Sequence, residues 1–214
     1  MKNIFKLSNS AVLFFIFILT ACTPTKLVDA QKDDAYTGGP LKSVMVVGIA
    51  DNIKNREMFE KAFVKQFIIE GVEAMTSFDA IPRDVKLDKD NVDSHKDIIK
   101  AAAIEQGMDA VLITHLVSVE EKEVYHPPMY DPFVVSGTRD FGTLYYTNYH
   151  ATYTPEHYTK HEYVRLESNL YDVEAEQLIW TAASETVDPK SVNEIVDTLC
   201  KAVMKNLRKN NLIQ

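Results

Sequence analysis

Between Glu121 and Tyr163 the chain concentrates side chains that could do chemistry: eight of ten tyrosines, four of six histidines and four of eight prolines. Imidazole nitrogens suit Zn²⁺ or Cu²⁺, and a phenol can add a further donor. A turn at Thr154-Pro155-Glu156-His157 would set His150 opposite His161 and Tyr153 opposite Tyr158. Directly opposed residues lie about 4.5–5.5 Å apart at Cβ. His150, His157 and His161 are therefore the candidate ligands of a Zn or Cu site, with Tyr163 in reach. Two considerations weigh against it. A type I turn commonly carries a bulge that slips the pairing by one. Opposed surface histidines with no carboxylate or thiolate beside them are also usually plain polar surface.

The tyrosines admit a second use. Tyr125, Tyr130, Tyr145, Tyr149, Tyr153, Tyr158 and Tyr163 could form a contact surface, because tyrosine offers large area, few rotamers and a polar tip. That suits a protein interface or stacking on sugar rings; the alternative is that they pack a β-extension of the sheet. From Thr143 to Tyr153 the Tyr and Thr spacing fits a strand face and also i, i+4 on a helix, with composition favouring strand. Tyr125 to Pro132 is too rich in proline for a helix or a central strand and is expected to be an exposed loop. Catalytic motifs are missing. Gly137-Thr-Arg-Asp-Phe-Gly142 has Thr143 where a phosphate loop needs lysine, and Gly-x-Ser-x-Gly, His-Glu-x-x-His and Cys-x-x-Cys do not occur. The expectation is a non-catalytic protein with no required cofactor.

The elements that position this stretch begin with an export signal. Lys2 and Lys6 precede the apolar run Ala11 to Leu19, and Leu19-Thr20-Ala21-Cys22 follows. The run is shorter than the roughly 20 residues a bilayer span needs, so 1–21 reads as a signal peptide. Its last four residues look like a bacterial lipobox, which implies cleavage before Cys22 and acylation of that cysteine. The plain alternative is a secretory peptide cut after Ala21. Thr23 rather than Asp after the cysteine implies, by likeness to enterobacterial sorting signals, the outer membrane and its periplasmic face. Cys200 is then a lone thiol on the apolar stripe of a helix, expected to be a buried hydrophobe.

Of 214 residues, 31 are acidic and 23 are Lys or Arg, a net charge of −8 that argues against a nucleic-acid partner. Cleavage removes two lysines and no acid, leaving 21 basic against 31 acidic side chains, or −10. An anionic domain is expected to turn away from anionic head groups. Residues 22–42 lack apolar periodicity and are expected to be a flexible tether of roughly 25 Å.

Residues 43–214 are expected to form one domain, with 121–163 as its insertion. Ser43–Ala50 reads as a buried strand; Asp51 or Asn52 caps a helix that Gly71 ends; Val72–Phe78 is a second strand. Ser94 caps a second helix, Gly107 stops it, and Asp109–Val119 is a third strand holding His115, expected to be a core histidine. Residues 164–170 alternate, a polar turn follows, and Leu178–Val187 returns as the second arm of a hairpin. Ser191 then opens a final helix. The fold class is α/β (α+β): a mixed sheet with βαβαβ followed by an antiparallel hairpin and a C-terminal helix.

Val44-Met45-Val46-Val47-Gly48-Ile49, Glu70-Gly71-Val72-Glu73-Ala74, Gly107-Met108-Asp109-Ala110-Val111 and Asn169-Leu170-Tyr171-Asp172 resemble a group of uncharacterised proteobacterial outer-membrane lipoproteins. More distantly they resemble the α/β domain shared by the TolB amino-terminal domain, the curli-secretion lipoprotein and the lipoprotein activators of penicillin-binding proteins. The likeness rests on strand, cap and turn residues. It implies a binding or assembly role, with an envelope protein or a second copy as partner and the membrane reached through Cys22.

Overall fold

The computed structural model describes residues 25–81, 92–130 and 153–214. Six strands form one sheet in the order β1-β8-β7-β4-β2-β3. They are β1 Lys26–Lys32, β2 Ser43–Ile49, β3 Glu73–Thr76, β4 Ala110–His126, β7 His157–Asp172 and β8 Leu178–Val187, while β5 Met129–Tyr130 pairs separately with β6 Tyr153–Thr154. The helices are α1 Ile53–Ile69, α2 Ser77–Ala80, α3 Val92–Glu105 and α4 Val192–Lys209. Strands β3, β2 and β4 run parallel, and β7, β8 and β1 pair antiparallel, so the mixed α/β class stands.

The unbroken apolar run of β2 follows from cover on both faces. Val44 and Val46 meet Phe59, Phe63 and Phe67 of α1 with Leu199, Val203 and Leu207 of α4, whereas Met45 and Val47 meet Ala103 of α3. The Asn52 side chain accepts from the Lys54 and Asn55 amides and starts α1. Gly71 and Gly107, at φ +79° and +66°, end α1 and α3 in the left-handed conformation that costs glycine little.

Some boundaries differ from expectation. Helix α3 begins at Val92, two residues before Ser94. Strand β3 stops at Thr76 because that side chain accepts the Asp79 amide and turns the backbone into α2. The largest correction concerns 22–42. Lys26–Lys32 is an edge strand on β8, and the chain beyond it is tied by Asp33 N–H to the Ile179 carbonyl and Leu41 N–H to the Leu212 carbonyl. Thr25 is buried against Thr186 and Thr198, at 2.7 and 2.6 Å. Residues from Thr25 onward therefore belong to the domain, which does not start at residue 43. A bulge between Leu27 and Asp29 breaks the alternation that would have marked the strand.

Candidate functional site

Strands β4 and β7 stay paired from Ala110 and Asp172 to His126 and His157. Their outer neighbours stop early: β2 follows β4 only to His115, and β8 follows β7 only to Tyr163. Residues 121–126 and 157–162 thus leave the sheet as a two-stranded ribbon of roughly 20 Å at about 3.3 Å per residue. Pro127-Pro128 and Pro155-Glu156 interrupt its ladder, since proline offers no N–H, and β5 and β6 continue it. The Tyr/His-rich stretch 121–163 is therefore a prolongation of two core strands. Its Pro-rich part is a break between strands as much as a loop.

Alternation divides the ribbon chemically. On one face Tyr125 and Tyr158 sit directly opposed, with ring centroids 5.2 Å apart. Tyr125 Oη donates to Glu156 at 2.9 Å, and that bond raises the phenol's pKa. Below them Lys160 reaches Glu121 at 3.0 Å and Glu123 at 3.4 Å, contacts that hold its ammonium charged.

The other face carries a hydrogen-bond relay. His126 and His157 stack at 4.7 Å with their planes 12° apart. His126 Nε2 lies 2.9 Å from Thr159 Oγ1, which lies 3.0 Å from His161 Nε2, and His161 Nδ1 lies 2.5 Å from Asp188 Oδ2. The contact with His161 holds the Asp188 carboxyl below its ordinary range, and the Glu162 N–H on Oδ1 adds to this. A carboxylate only accepts, so His161 Nδ1 must donate. For neutral His161, Nε2 then accepts the Thr159 hydroxyl, and Thr159 Oγ1 accepts His126 Nε2–H. At the ribbon's base Lys122 lies over the Tyr163 ring at 5.1 Å, and Arg165 bridges Glu120 and Glu185.

Several expected juxtapositions are replaced. Tyr153 pairs with Tyr130, Tyr158 with Tyr125 and His161 with Lys122, so no hairpin turn lies at 154–157. His150, Tyr145 and Tyr149, like Cys22, lie outside the described residues. His126, Thr159 and Asp188 are the relay members that sequence reasoning missed. The 157, 159, 161 alternation signalled the first link, but Asp188 follows the end of a strand far along the chain. Among the described residues no group of three or more His, Cys, Asp or Glu is gathered to hold a metal ion. His115 is half-buried, opposite Ile49 and Glu167. Cys200 is buried, and desolvation pushes its thiol far up, which suits a small core hydrophobe.

The carboxyl ends of β2 and β3 are where an α/β sheet most readily keeps a ligand. Here they are filled from within. Glu60, fully buried, accepts from the Gly48 amide at 2.9 Å, the Ser77 amide and hydroxyl at 2.8 Å, and Arg56 Nε at 3.0 Å. A Cβ on Gly48 would stand 3.1 Å from the Phe59 ring, so helix and strand meet too closely there to leave space.

Fold and site together define a helix-covered mixed α/β domain bearing a projecting aromatic and imidazole ribbon. No family model matches the chain, and no curated protein matches it. Among solved structures it is similar to the PelC dodecamer of Paraburkholderia phytofirmans, at TM-score 0.42 and 11% identity over 82% of this chain and 94% of that one. It is also similar to lipoprotein GNA1162 of Neisseria meningitidis, at TM-score 0.42 and 11% identity over 78% and 96%. Likeness this distant does not bear on function. Among the described residues no helix is long and apolar enough to cross a membrane.

Proposed function

We propose that this is a lipid-anchored protein of the bacterial outer membrane, held at the periplasmic face by Cys22 and acting as a non-catalytic binding or assembly component of the envelope. The observation that carries the reading is the ribbon: two core strands run on past their neighbours and expose Tyr125 and Tyr158 side by side. A chain gains nothing in core packing from such an arm, and exposed paired aromatics are what interfaces use. The lipobox supplies the location, and the resemblance to envelope lipoproteins supports assembly with an envelope protein or a second copy. The test is crosslinking in whole envelopes with the native chain and a Tyr125→Ala/Tyr158→Ala variant. Loss of a crosslinked species with an unchanged melting curve is expected; identical species from both chains would refute the ribbon's role.

A second reading, metal binding, is favoured by one detail. Asp188 orients His161 through Nδ1 and leaves Nε2 facing Thr159, as carboxylates orient metal-bound imidazoles. Calorimetry with Zn²⁺ and Cu²⁺ on the native chain and a His161→Ala variant decides it: heat lost with His161 supports the reading, and no heat with the native chain removes it.

A further inference from the structure

We infer that the ribbon's outer part rests in the head-group region of the membrane to which the chain is anchored. This goes beyond the proposed reading, since it gives the ribbon's outer part a lipid contact where that reading gives it a protein one, and it rests on Cys22 being the acylated residue. The argument begins at the other edge of the sheet. Lys26 pairs with Glu185, Glu185 with Arg165, and Arg165 with Ser118, so these four residues lie at one level across the strands. From that level β4 runs eight residues on to His126, and β7 extends equally to His157. Preceding β1 on the same side, Thr25 is fixed by Thr186 and Thr198. Two residues separate Thr25 from Cys22, and the three steps between them reach only about 11 Å even fully extended. The ribbon reaches roughly 20 Å beyond Tyr163. Tether and ribbon leave the same end of the sheet, and the tether is the shorter.

The composition of the ribbon changes along this path. Its base holds Glu120, Glu121, Lys122, Glu123, Lys160, Glu162 and Arg165, but residues 124–130 and 153–159 contain one acidic side chain, Glu156, and no Lys or Arg. In that outer part Val124, Tyr125, Met129 and Tyr158 are 37%, 47%, 65% and 64% exposed. Tyrosine is enriched at the head-group level, where its ring meets hydrocarbon and its hydroxyl meets water. Tyr125 already holds its hydroxyl to Glu156, and about half of the residue stays exposed. Among the described residues Glu156 is the one acid of this outer part, and the other acids of the ribbon sit nearer the sheet.

The test uses the full acylated chain in phosphatidylethanolamine/phosphatidylglycerol vesicles, with a polarity-sensitive fluorophore on Met129→Cys, Tyr158→Cys or Asp34→Cys. Cys200 is buried and stays unlabelled, and Asp34 lies past the opposite end of β1. Lipid-borne quenchers are expected to quench the labels at 129 and 158 at least threefold more than the label at 34, with the reverse order for a water-borne quencher. Equal quenching at all three positions in vesicles overturns the inference. If the labels at 129 and 158 are shielded in native envelopes but water-exposed in vesicles, the ribbon meets a protein and only the lipid assignment fails. Exposure in both removes the ribbon's contact role as well.

Discussion

Glu60 offers the sharpest test of whether the buried polar cluster is structural or the remnant of a reactive site. Replacing it with alanine strips the acceptor from the Gly48 and Ser77 amides and leaves Arg56, with its side chain only 14% exposed, facing Ser77 and the Phe78 ring alone. A buried donor without a partner costs about 1–3 kcal/mol, and breaking a buried ion pair by removing one member costs about 3–5 kcal/mol. These overlap, since the same carboxylate serves all of them, so the expected loss is about 3–5 kcal/mol. For a chain of this size that lowers Tm by roughly 6–20 °C. Glu60→Gln should fall between wild type and alanine, because its amide nitrogen must face at least one donor. Urea unfolding with an unchanged slope measures both. A loss below about 1 kcal/mol for Glu60→Ala would show that the cluster does not hold α1 to β2 and β3, and would reopen the carboxyl ends of these strands as a ligand site.

Three other outcomes follow from the same structure. Lys100 and Lys96 hold Glu176 at about 2, below its ordinary 4.5, so its stabilising effect is complete above pH 4.5 and is lost as pH falls through about 2; Glu176→Gln should flatten the stability profile in that window, and parallel profiles would refute the pairing. Thr25→Val leaves the buried Thr186 hydroxyl without its acceptor, at about 1–3 kcal/mol, and should speed hydrogen exchange in Lys26–Lys32 before any other strand; unchanged exchange there would show that β1 is held by its ladder alone. Nitrogen NMR should find neutral His161 protonated on Nδ1 and switched or mixed in Asp188→Asn, whereas Nε2–H in the native chain contradicts the relay.

The central fold was legible because its signals are local. The alternation of apolar faces, the Asn52 and Ser191 caps and the glycines at 71 and 107 each declare themselves within a few residues. Strand β1 was not legible, because an edge strand with a bulge needs only half of one face apolar and its stability comes from β8, some 150 residues away. The ribbon was half legible. Tyrosine and histidine enrichment located it, but register depends on which strand a segment pairs with. Pro155 reads equally well as the corner of a hairpin and as a break within a strand, and only Pro127-Pro128 on the facing strand decides between them.

The same distinction between count and placement governs the membrane question. The net charge of −10 expected if the signal is cleaved treats the domain as a point and predicts that it turns from the lipid. The strand register shows a directed object instead. Acids crowd the ribbon's base, where Lys122, Lys160 and Arg165 partner several of them. Surface potential decays within a Debye length of about 8 Å at physiological salt. Charges at the base begin only two residues, about 7 Å, from Tyr125 and Tyr158, within that length, and there Lys160 offsets Glu121 and Glu123. If Cys22 is the acylated residue, as proposed, what decides orientation is its short separation from Thr25, which lies at the end of the sheet from which the ribbon projects.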